Sequence, residues 1–102
     1  MGIFSSLFHR KQQQTLDLKA AAITTTYVVR NHSAITNVYH DADGDWQFLG
    51  DEEVTEADAL VLALGEIIEL DPTVKEVLDM KMGCSAHRAS KTDAWKINKD
   101  RQ

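Results

Sequence analysis

The rhythm of apolar and polar positions changes along the chain, and each change predicts a different element. At the start, Ile3, Phe4, Leu7 and Phe8 recur at helical spacing ahead of Arg10, Lys11 and three glutamines, which predicts an amphipathic arm or linker over residues 1–22. The run from Ile23 to Arg30 is β-branched and aromatic, so it predicts a first strand, with Asn31, His32 and Ser33 supplying turn chemistry after it. Ile35 to His40 predicts a second strand and Trp46 to Leu49 a third. Asp43-Gly44 lies between them, where a hairpin loop needs positive φ. A period of two places Trp46 and Phe48 on the same face.

The period then lengthens. Thr55 with Asp58 makes a capping box, and Ala57, Leu60, Val61, Leu64, Ile67 and Ile68 recur at spacings of three and four, predicting a helix with Glu66 and Glu69 facing water. Pro72 ends it, because a proline ring disfavours helical backbone at the preceding Asp71. Asp71 as N-cap and Pro72 at the first position start a second helix, with Val74, Val77 and Leu78 inward and Gly83 as its stop. The closing stretch from Cys84 to Asn98 predicts a hairpin turning through Lys91 and Thr92. There Arg88 faces Trp95, His87 faces Lys96 and Ala86 faces Ile97, and Cys84, Ala86, Trp95 and Ile97 form its buried side. Strand, strand, strand, helix, helix, strand, strand is an α+β order. A mainly antiparallel sheet of about five strands carries two helices on one face, in one domain over residues 23–99 with a short tail at 100–102.

Composition supports one such unit and no more. At 102 residues with 43% hydrophobic and 26% charged positions, the chain has material for a single core and the balance of an ordinary globular domain. No apolar run reaches the roughly 18 to 20 residues a bilayer span needs. The single cysteine, Cys84, forms no internal disulfide, which fits a cytoplasmic protein. Gly2 with Ser6 satisfies a myristoylation pattern, but six positions match by chance too often to carry weight.

Charge is distributed unevenly. Between residues 39 and 79 thirteen acids stand against Lys75 alone, whereas residues 80–102 hold six basic side chains against Asp93 and Asp100. Such an acidic block repels a phosphate backbone and attracts basic proteins, so nucleic acid is not an expected partner.

Candidate chemistry is sparse. Asp41, Asp43 and Asp45 surround Gly44, but a calcium loop of the EF-hand type puts its glycine sixth and its bidentate glutamate twelfth. Here the glycine is fourth, and Glu52 closes a segment running through the third strand. Cys84 and His87 are the one pair resembling a nucleophile and base, yet three residues apart on a strand they point to opposite faces. His9, His32, His40 and His87 show no ligand spacing, and no phosphate loop or serine elbow is present. Neither metal, cofactor nor catalytic residue is expected.

Trp46-x-Phe48, Gly50-Asp51-Glu52, Leu64-x-x-Ile67 before Asp71-Pro72, Val77-Leu78, and Gly83-Cys84-Ser85 with Arg88 and Trp95 form a scattered pattern over residues 27–98. It resembles the bacterial immunity-protein 33 family, long described as a domain of unknown function. Tyr39, His40 and Asp41 precede the tryptophan as a tyrosine and a charged pair do in that family, with histidine in the basic position. The resemblance implies a small α+β protein, in some genomes placed beside a secreted toxin as its antidote, without catalytic residues. With the charge pattern, it leads to the expectation of a non-catalytic binder, a monomer or weak dimer, meeting a basic protein through Asp41, Asp43, Asp45, Asp51, Glu52 and Glu53. The alternative is a housekeeping or regulatory module tethered to a membrane or a larger complex through Ile3, Phe4, Leu7 and Phe8.

Overall fold

A computed structural model describes residues 16–99. Six strands form one sheet in the order β4-β1-β3-β2-β5-β6: β1 is Ala21–Thr25, β2 Asn37–His40, β3 Trp46–Leu49, β4 Ala59–Ala63, β5 Cys84–His87 and β6 Lys96–Asn98. Every pairing is antiparallel except that of β1 with β3. Two short α-helices, α1 (Thr26–Arg30) and α2 (Leu64–Leu70), and two 3-10 helices at Glu56–Asp58 and Pro72–Val77 complete an α+β fold. The amphipathic arm, and with it any membrane contact of Ile3, Phe4, Leu7 and Phe8, lies outside the described residues.

Three elements differ from the sequence reading. The expected strand from Ile23 to Arg30 breaks after Thr25, because the Thr25 hydroxyl accepts a hydrogen bond from the Val28 N–H at 3.2 Å and so caps α1. Tyr27 O then accepts from both Asn31 and Ser33, and His32 turns the chain out at φ 60°. One local cap outweighs the weak strand preference of Tyr27, Val28 and Val29.

The expected helix from Thr55 is the larger correction. Its capping box is present, with the Asp58 carboxylate accepting from the Thr55 N–H at 3.0 Å, but it caps only the 3-10 helix. Ala59 to Ala63 continues as a sixth strand, and only Leu64–Leu70 is α-helical. The other side of β1 needs hydrogen-bond partners, and the uncharged run Ala-Leu-Val-Leu-Ala meets it over five residue pairs. That pairing overrides the helical spacing. The second helix is likewise shorter than expected: Pro72–Val77 is a 3-10 helix, and Gly83, at φ 89°, starts β5 by donating to His40 O instead of ending a helix.

Other elements form as the pattern predicts. The β2–β3 hairpin closes through Asp41 N–H to Asp45 O at 2.8 Å, with Gly44 at φ 96°. Asp71 caps Pro72–Val77, accepting from the Thr73 N–H at 3.0 Å. The last hairpin pairs Ala86 with Ile97 and His87 with Lys96.

Register assigns the two faces. Leu60, Thr24, Phe48, Val38, Ala86 and Ile97 form a row across the inner face. Phe48, Val38 and Ala86 are buried there beneath Leu64, Ile67, Val74 and Val77 of the helical layer. Ile97, at the end of the row on an edge strand, escapes that cover and is 48% exposed, contrary to its expected place in the core. Arg88 leaves β5 into the interior and pairs with Asp71 at 2.8 Å, both side chains almost wholly buried. It also donates to Ile35 O, Thr73 Oγ1 and Lys91 O, and lies 4.0 Å over the Trp95 ring.

Candidate functional site

The six candidate carboxylates fall into two groups at opposite ends of β3. Asp41, Asp43 and Asp45 occupy the hairpin loop before it; Asp51, Glu52 and Glu53 follow it. All but half-buried Asp41 are exposed. Among the described residues the one ion pair is Arg88–Asp71, so none of the six is matched by a cation of the domain itself.

Each group is held by hydrogen bonds to neighbouring side chains. Gln47 donates to Asp41 Oδ2 at 2.7 Å, and Asp45 N–H donates to Asp43 Oδ1 at 3.2 Å. At the other end Thr36 Oγ1 and Asn37 Nδ2 donate to Asp51 Oδ1 at 2.6 and 3.3 Å, while Ser33 Oγ donates to Glu52 Oε2 at 2.5 Å. Gly50 permits this turn: a Cβ there would stand 3.0 Å from Ala34 O and 2.6 Å from Glu52 Oε1. No group of three or more acids, histidines and cysteines among the described residues is arranged to hold a metal ion.

Gln47 and Asn37, the residues that reach the two groups, both lie on the outer face of the sheet. One outer row runs Val61, Ile23, Gln47, Tyr39, Ser85 and Asn98; the next includes Leu49, Asn37, His87 and Lys96. The hydrophobic core takes its sheet residues from the inner face and none from these two rows. Tyr39, Gln47, Ser85, Asn37 and His87 are half-buried there, and Val61 is 66% exposed.

A hydrogen-bond chain fixes the middle of that face. Asn37 Nδ2 donates to Gly50 O at 3.0 Å as well as to Asp51, so its Oδ1 is the atom turned toward His87 Nδ1, at 2.7 Å. His87 Nδ1 therefore carries a proton, and Nε2 stands in hydrogen-bond contact with the Ser85 hydroxyl at 2.9 Å. Tyr39 meets the oriented imidazole edge-on, with ring centroids 5.6 Å apart at 75°.

Serine, imidazole and amide thus stand in the order of a nucleophile, its base and an orienting group. β5 pairs with β2 on one side and β6 on the other, which holds Ser85 and His87 in register on this face. The arrangement makes a stiff polar surface. Sequence reasoning tested His87 against Cys84, which does lie on the opposite face, and passed over Ser85. Two residues from His87 on one strand, Ser85 shares its face by period alone.

His40 and Trp46 stack on the inner face, centroids 3.8 Å apart, with His40 Nδ1 2.8 Å from Met80 O. That imidazole serves packing.

No family model matches the chain, and no curated protein or solved structure matches it significantly. The residues that carry the resemblance to immunity proteins are chiefly those with jobs in the scaffold: Phe48 in the core, Gly50 at a close approach, and Asp71, Arg88 and Trp95 in one buried cluster. Among the described residues no helix is long and apolar enough to cross a membrane.

Proposed function

We propose that this domain is a non-catalytic, stoichiometric protein binder of the cytoplasm that recognises a basic partner through the carboxylates at Asp41, Asp43, Asp45, Asp51, Glu52 and Glu53. The observation that carries the reading is that these side chains, in two groups bordering an open face, have no cationic partner among the described residues. Unneutralised carboxylates of one sign steer an oppositely charged protein and speed its association, an effect that salt screens over about 8 Å at physiological ionic strength. A basic toxin, the partner that the family resemblance implies, has this chemistry. A nucleic acid does not.

Affinity capture from the native cell at low salt, followed by elution with salt and mass identification, tests the proposal. A basic protein eluting with salt, and lost when all six acids are changed to their amides, is the expected result. Retention of the same partner by the amide variant would overturn it.

A further inference from the structure

We infer that the basic partner docks on the outer sheet face itself, across Tyr39 and between the two groups of carboxylates. This rests on the acidic-binder reading and names the surface it leaves open. Three observations converge. The face gives no side chain to the described core, although it is only partly polar: Ile23 and Val61 continue its central row toward the β4 edge. Its middle is held before any partner arrives, because Asn37, His87 and Ser85 lock one another and present the imidazole to Tyr39. An ordered aromatic centre loses little freedom on binding and suits both apolar and cationic side chains.

The third observation is electrostatic. Asp41 reaches one end of the face through Gln47, and Asp51 reaches the other through Asn37. Asn37 and Asp41 are four residues apart along an extended chain, so the two acidic groups bracket Tyr39 across about 13 Å at roughly 3.3 Å per residue, with Lys96 beside His87 the one cation in the two rows. The fitting occupant is a protein segment whose lysines or arginines stand at that separation about an apolar or cationic middle.

Titration of the isotope-labelled full chain with a deca-lysine peptide at low salt, followed by amide chemical shifts, tests the site. The expected shifts fall on Asn37, Tyr39, Gln47, Ser85 and His87 together with the loops at 41–45 and 51–53, and spare Glu69, Glu76 and Asp79 on the helical layer. Tyr39→Ser should weaken binding about three-fold, the size of a surface cation–π contact. Glu69→Gln with Glu76→Gln should leave it unchanged. Shifts confined to the loops, or spread equally over the helical-layer acids, would overturn the sheet-face site while leaving the acidic reading intact. An unchanged affinity in Tyr39→Ser would overturn it too. Absence of binding to any acid would sink both. Shifts on the face that follow protein concentration without peptide would assign it to a second copy of the chain and overturn the basic-partner site.

Discussion

Arg88 presents the hardest physical demand in the molecule. A guanidinium with 1% of its side chain exposed is tolerable only when its charge is paired and each of its nitrogens has an acceptor. Asp71, Ile35 O, Thr73 Oγ1 and Lys91 O meet them while Trp95 covers the plane. Asp71 does double duty, since its other oxygen caps the 3-10 helix at Thr73. Removing one partner strands the other. Asp71→Ala is expected to lower unfolding free energy by about 3 to 5 kcal/mol, read by urea denaturation, and the double change Asp71→Leu with Arg88→Met to recover at least half of that loss. This cluster also removes Asp71 from the negative surface that a count of acids along the chain would credit to it.

At the scale of elements, the decisive contests were between local spacing and hydrogen-bond demand. Thr25→Ala tests the first of them: losing the cap of α1 should destabilise the protein by about 1 kcal/mol in the same denaturation experiment, whereas an uninterrupted strand would be nearly indifferent to it. The edge strand β4 tests the second. Leu64 N–H donates to Ala20 O at 2.8 Å, so by antiparallel alternation Ala59, Val61 and Ala63 turn their backbone groups away from β1. Ala59 N–H is taken by Glu56 O, and Ala63 N–H by the Glu66 carboxylate at 2.9 Å. Among the described residues Val61 alone of the three keeps both groups open, which blunts an edge that would otherwise template pairing with another chain. Glu66→Ala should therefore raise concentration-dependent self-association above that of the unchanged protein, as sedimentation would register. Legibility followed the same division. The β2–β3 hairpin, the Asp71-Pro72 junction and the last hairpin were readable because turn residues act over two to four positions. β4 was not, because its partner β1 lies more than thirty residues away in the chain.

At the scale of the whole molecule, the described residues form a two-layer body with helices on one side of the sheet and an acid-bordered face on the other. Because the bordering carboxylates have no cationic partners among the described residues, neutralising them should barely touch folding. Asp43→Asn, Asp45→Asn and Glu53→Gln together are expected to shift stability by no more than about 0.5 kcal/mol in urea while weakening capture of the basic partner. A large loss of stability would mean that these acids belong to the scaffold.

Residue type and short spacing were enough for the α+β class, the positions of the tight turns, the core residues at Val74 and Val77, the shared face of Trp46 and Phe48, and the excess of negative charge. Only tertiary structure decided that Ala59–Ala63 would be a strand, that Asp71 would neutralise Arg88 inside, and that Asn37, His87 and Ser85 would join on one face with carboxylates at both its ends. Those outcomes depend on which distant backbone lacks a hydrogen-bond partner and on which side chains the strand register sets opposite one another. Neither is a property of any local stretch of chain.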